Sequence, residues 1–168
     1  MIPEIKKILY ATDLSENARY AFGYAASIAN RFGARITIIH VLEEISHSAT
    51  IRLATMLGEN KWQELQDRNI QEVLDTIKTR VETFCHDVGK ELEECPYLVD
   101  DVIIKQGEPV ELILSQAKEI GCDLVVMGTH GHGLLADAMM GSTATRVVRR
   151  SQLPVMIVRL PKASCSNP

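Results

Sequence analysis

Short apolar runs alternate along this chain with amphipathic segments, and the alternation predicts its elements. Lys7 to Thr12 (KILYAT) reads as a buried strand. Ser15 follows as a candidate N-cap with Glu16 in the first turn, the arrangement that satisfies a helix's unpaired N–H groups. Ala18, Ala21, Phe22, Ala25, Ile28, Ala29 and Phe32 then fall on one helical face, and Gly33 is a natural stop. The small residues on that face would let the helix lie close to a sheet. Arg35 to Leu42 (RITIIHVL), rich in β-branched residues, is the second strand. A less regular stretch leads to a long helix from Trp62 to Val88, with apolar positions at Leu65, Ile70, Val73, Leu74, Ile77, Val81 and Phe84. Val99 to Lys105 is a third strand, opening on the Asp100–Asp101 pair. Gly107 and Pro109 introduce another helix, with Val110, Ile113, Leu114 and Ala117 as its buried face and Gly121 as its end. Asp123 to Met127 is the fourth strand. After a glycine-rich loop, Ser142 to Arg150 forms a helix with the stripe Ala144, Val147 and Val148. Pro154 to Leu160 is the fifth strand, and the polar tail from Pro161 is expected to fray.

The order is thus βαβαβαβαβ. Strands alternating with helices of this length imply an α/β fold: one domain, a five-stranded, mainly parallel sheet with right-handed crossovers and helices on both faces, a Rossmann-like plan. In such sheets ligands bind beyond the carboxyl ends of the strands, where the strand order reverses. The rule selects Ala11–Asp13, Val41–Leu42 and the loop opening at Gly128.

Composition narrows the function. A chain of 168 residues, 46% hydrophobic and 24% charged, suits an ordinary globular domain. A net charge of −4 argues against a nucleic-acid partner, which needs a phosphate-neutralising surface. The sequence has no apolar run of roughly 18 residues, so no membrane span is expected. The start, MIPEIKKILYATD, lacks the form of a signal peptide, and the expected location is cytoplasmic. Cys85, Cys95, Cys122 and Cys165 form no CxxC pair, which fits reduced structural thiols.

The loop GTHGHGLLADAMMGST, from Gly128 to Thr143, leaves a buried strand and enters a helix. Gly128, Gly131 and Gly133 allow tight turns and close backbone approach. Gly141 and Ser142 stand at the helix start, where free N–H groups and the helix dipole favour an anion, and Ser142 and Thr143 add hydroxyl donors. This is polyphosphate chemistry, although a loop of this kind is also a common structural turn. Neither GxxxxGK[ST] nor GxGxxG after the first strand is present. His130 and His132 flank Gly131, with Asp137 in the same loop, but a metal site would need further ligands. His40, inside the second strand, reads as a satisfied core residue, and Arg146, Arg149 and Arg150 as a solvated helix face from which one could reach a phosphate. No nucleophile–base–orienter set is apparent. A phosphoacceptor receiver would need an Asp at the end of the third strand, where Ile104–Lys105–Gln106 stands, and an ATP pyrophosphatase an SGGxDS-like loop in place of ATDLSE.

The spacing Gly128-x2-Gly131-x9-Gly141-Ser142 resembles the ATP-binding signature of the universal stress protein family, G-x2-G-x9-G-[ST]. The start, KILYATDLSENARYAFGYAASIA, and the ending, GSTATRVVRRSQLPVMIVR, are similar to that family's first and last elements, so the resemblance covers nearly the whole chain. It implies a cytoplasmic, adenine-nucleotide-binding regulatory protein of the stress response, holding ATP alone or with Mg2+. In the members that bind ATP, an acidic residue after the first strand lies near the sugar or metal, and Asp13 matches it; Asp13 equally suits a residue that starts the helix. Val41 matches the backbone set against adenine, Met127 and Gly128 the end of the fourth strand, and Gly131, Gly141, Ser142 and Thr143 the phosphate-binding segment. The resemblance also implies a homodimer through antiparallel contact of the last strands. No residue presents itself to position a water, so turnover of ATP would be low. A slow ATPase and a nucleotide-free interaction module are the alternatives.

Overall fold

A run of β-branched and aliphatic residues can be buried on both faces only where helices cover both sides, and the three inner runs of this chain are so buried. The computed structural model describes residues 2–43, 99–129 and 140–161, with residues 51–52, 54–56, 58, 60–61, 63–64, 71–72, 75–76, 79–80 and 82–83 between them. Its elements are β1 (Lys7–Thr12), α1 (Glu16–Phe32), β2 (Arg35–Leu42), β3 (Val99–Gln106), α2 (Pro109–Glu119), β4 (Leu124–Gly128), α3 (Ser142–Arg150) and β5 (Val155–Val158). The long helix expected from Trp62 to Val88 has its apolar positions outside the described residues, as do Cys85, Cys95, Cys165 and the tail beyond Pro161.

The five strands form one sheet in the order β3-β2-β1-β4-β5, and every pairing is parallel. The chain builds outward from β1 to β3, then returns to the other side of β1, so the order reverses between β1 and β4. At the amino end of the sheet the Asp123 carboxylate accepts from the Lys6 and Lys7 N–H groups, at 2.8 and 2.9 Å, and locks that return.

Alternate residues of the strands feed two cores. Ile8, Tyr10, Ile36, Ile38 and Val126 face α1, which meets them with Ala21, Phe22, Ala25 and Ala29. The alanines bring the helix close, and Tyr10 and Phe22 stack edge to face at 5.0 Å. Leu9, Ala11, Ile39, Val125 and Met127 face Val110, Ile113 and Ala117 of α2 and Ala144 and Val147 of α3.

The capping signals are realised. Ser15 Oγ accepts from the Ala18 N–H at 3.1 Å, and Gly33 closes α1 in the left-handed region at φ 65°. Several details differ from expectation. Phe32 and Val148 are 60% and 42% exposed, because each lies at the margin of its helix's apolar stripe. Ala26 and Gln116 are buried instead. The start of α2 is capped by Glu108, which accepts from the Glu111 N–H at 2.8 Å.

Candidate functional site

The turn out of β1 is built from short polar side chains that bond their own backbone. Thr12 Oγ1 accepts from the Leu14 N–H, and Asp13 Oδ1 from the Ser15 N–H, each at 3.0 Å. Between them Leu14 sits at φ 65°, a conformation that costs a non-glycine residue on the order of 1–3 kcal/mol and persists only where its surroundings enforce it. The helix-starting reading of Asp13 is therefore realised in geometry, with its carboxyl group at the carboxyl edge of the sheet.

Register places the other candidates. Ala11 pairs with Ile39 on one side and Met127 on the other. Asp13, Val41 and Thr129 each lie two residues further along from these three partners. β1 ends at Thr12 opposite His40 while β2 runs on to Leu42, which leaves a notch at the reversal point bordered by Val41. His40, 8% exposed, donates through Nδ1 to the Thr12 carbonyl at 2.7 Å, as a satisfied core histidine does. Met127 is 6% exposed with its side chain in the core, so only its backbone borders the notch.

Gly128 has a definite reason to be glycine. A Cβ there would lie 2.8 Å from Asn17 Nδ2 and 3.2 Å from its Cγ. The close approach that the sequence suggested is thus made by the first turn of α1. Gly131, Gly133, His130, His132 and Asp137 lie outside the described residues. Among the described residues no three His, Cys, Asp or Glu side chains gather as a metal site.

Gly141 returns the chain to the sheet, its N–H donating to the Thr129 carbonyl at 2.8 Å. It is the N-cap of α3 with φ −56° and ψ 156°, makes no side-chain cap bond, and is followed by no acidic residue in the first turn. Ser142 is exposed and Thr143 partly so. The positive end of this helix's dipole meets no carboxylate of its own, an arrangement that suits an anion.

The arginines of α3 are engaged elsewhere. Arg146 Nη1 donates to Glu108 Oε1 at 2.7 Å, and Arg150 Nη1 to Glu111 Oε1 at 2.5 Å, fastening α3 to α2. The Glu111 backbone N–H, and to a lesser degree the Arg146 guanidinium, hold the Glu108 carboxyl below its usual range. Arg149 is exposed on the same helix. Two residues that sequence reasoning passed over, Asn17 and Thr129, join the elements of the notch through Nδ2 and Oγ1, 3.3 Å apart. The one signal available was an asparagine in the second position of a helix.

The sequence model described as the universal stress protein family matches residues 4–159. A universal stress protein of Thermus aquaticus is 32% identical over 154 residues, covering 92% of this chain and 98% of its own. The universal stress protein MJ0577 of Methanocaldococcus jannaschii is 28% identical over 154 residues, 92% of this chain and 94% of its own. The solved structure of MJ0577 superposes with a TM-score of 0.72, covering 96% of this chain and all of that one (100%). A universal stress protein solved in complex with cAMP has a TM-score of 0.57 at 20% identity, over 93% of this chain and 98% of its own, a likeness of fold.

Proposed function

This chain belongs to the universal stress protein family, and from that premise we propose that it binds ATP and acts as a nucleotide-dependent regulatory protein of the stress response. Adenine would lie against the backbone of Val41, and the sugar, or a Mg2+ ion carried with the nucleotide, near Asp13. The backbone of Met127 and Gly128 would line the cleft, and Gly131, Gly141, Ser142 and Thr143 would hold the phosphates. The observation that carries the reading is the start of α3, a helix whose N-cap offers no side-chain bond and whose first turn lacks an acidic residue, returned by Thr129 to the notch beside Asp13 and Val41. Backbone N–H groups and hydroxyls at such a place meet a polyphosphate without steric bulk.

The reading extends to a cytoplasmic homodimer. β5 is an edge strand whose Val155, Met156 and Ile157 stay partly exposed, and such an edge is disposed to pair with another chain.

Calorimetric titration with ATP, GTP and cAMP tests the binding site. ATP should bind more tightly than GTP, because backbone rather than guanine-reading side chains borders the adenine slot, and more tightly than cAMP, which lacks the polyphosphate. Equal affinities, or no binding, would count against the assignment. Phosphate release by the same preparation would reveal turnover, and sedimentation showing only monomer at micromolar concentration would overturn the dimer.

A further inference from the structure

Asparagine is a poor helix residue because its amide competes for backbone groups. In the first turn of α1 the amide of Asn17 reaches out of its own helix to two distant segments. Its Nδ2 donates to Thr129 Oγ1 at 3.3 Å, and its Oδ1 accepts from the Leu160 N–H at 3.1 Å, across 112 and 143 positions of chain. One side chain thus holds both the residue that opens the glycine-rich loop and the segment just beyond β5.

Thr129 is 4% exposed. Its N–H donates to the Val158 carbonyl at 3.0 Å, and its own carbonyl accepts from Gly141 at 2.8 Å. Whatever fixes Thr129 therefore fixes the start of α3. The ladder between β1 and β4 ends at Ala11 and Met127, so it does not itself hold the Asp13 turn to Thr129. The Asn17 amide does, in the room that Gly128 leaves by lacking a Cβ.

We propose that Asn17 is a positioning residue of the nucleotide site, which sets the spacing between the Asp13 turn and Thr129 with the start of α3 at Gly141, and couples occupancy of that site to the chain leaving β5. The proposal rests on the ATP-binding reading above. A ligand that bridges the two sides of the notch binds best when their spacing is fixed beforehand, since ordering them on binding costs affinity. If ATP favours the fastened arrangement, the fastened arrangement must by linkage favour ATP, and occupancy will protect the Leu160 amide.

The test uses the full chain with Asn17→Ala, Thr129→Val and Thr129→Ser, and reads the ATP dissociation constant, the thermal midpoint and hydrogen exchange at the Leu160 and Gly141 amides. Asn17→Ala and Thr129→Val should each weaken ATP by about tenfold, because each removes the hydrogen bond between Asn17 Nδ2 and Thr129 Oγ1. Thr129→Ser, which keeps the hydroxyl, should stay within about twofold of the parent, and the double variant Asn17→Ala/Thr129→Val should be no weaker than Asn17→Ala alone, because the contact shared with Thr129 is then already gone. ATP should slow exchange at Leu160 in the parent and leave it unchanged in Asn17→Ala. Parent-like affinity in Asn17→Ala, or additive losses in the double variant, overturns the proposal. Should Asn17→Ala fail to fold, the Thr129→Val and Thr129→Ser pair decides: equal affinity in both overturns it. If the parent itself binds no ATP, the function proposed above fails, and exchange at Gly141 decides whether Asn17 positions the loop: faster exchange in Asn17→Ala upholds the clamp, and unchanged exchange removes it.

Discussion

Two helices begin at the same edge of the sheet and are finished differently. The start of α1 is capped by its own chain. Ser15 Oγ caps it, Asp13 Oδ1 braces the turn before it, and the Tyr10 hydroxyl donates to the Ala18 carbonyl. The start of α3 has a glycine for its cap, no side-chain cap bond and no acid in its first turn, while its last turn carries Arg149 and Arg150. At α1 a side chain just before the helix answers one of its orphan N–H groups, as stability asks. At α3 no side chain of the helix's own first turn meets that need, an arrangement that suits an anion.

The contrast breaks most sharply at Gly141. Its φ of −56° is open to any residue, so Gly141→Val should fold, yet its branched side chain would occupy the approach to the helix start. ATP binding should fall by at least about hundredfold, roughly 3 kcal/mol, with circular dichroism and the thermal midpoint close to the parent's. Parent-like binding by the folded variant would move the phosphate site away from α3. Ser142→Ala removes a single hydroxyl and keeps the backbone donors; calorimetry should show a loss of about 1–2 kcal/mol in ATP binding. Ser15→Ala makes the opposite cut. Urea denaturation should show about 1 kcal/mol less stability, with the loss appearing equally with and without ATP.

The bolt from Tyr10 gives the α1 end a pH signature. Burial pushes the Tyr10 phenol well above its ordinary range. The unfolded chain ionises a tyrosine near pH 10, so the stability that Tyr10 contributes is complete below that pH and is lost as pH rises beyond it. Tyr10→Phe should flatten the alkaline fall in stability while costing roughly 1 kcal/mol at neutral pH, as denaturation at pH 7 and pH 11 would report. An unchanged alkaline limb would mean that another group sets it.

Much of this fold could be read from local signals. Lys7–Thr12, Arg35–Leu42 and Ser142–Arg150 have the expected bounds, and Ser15 and Gly33 cap α1 as their side chains predict. These features depend on periodicity and on bonds within a few residues. A mainly parallel sheet followed from the alternation of elements, while the strand order that puts the reversal between β1 and β4 did not. What escaped depends on distant neighbours. Phe32 groups with the buried face by periodicity, yet it lies at the margin of that stripe and stays 60% exposed. Gly128 was legible as a place of close approach, but the approaching group, Asn17, is set by packing between distant segments. The arginines of α3 read as a solvated helix face from which one could reach a phosphate, and Glu108 and Glu111 engage two of them instead. Asp13 kept both of its readings in the sequence, and the Ser15 contact supports the helix-starting one without bearing on a ligand.

The reversal of strand order also shapes how the molecule is made. Lys7, at the head of β1, is bonded to Asp123, 116 positions later, and β4 follows immediately to take the second side of β1. During synthesis at about 5–20 residues per second, the flank of β1 reserved for β4 stays without its partner for on the order of ten seconds. In that interval β1 and β2 form a ribbon with an apolar edge, the kind of surface that other nascent chains can pair with. The strand that ends up most enclosed in the finished sheet is therefore the one most in need of a chaperone while the chain is being made.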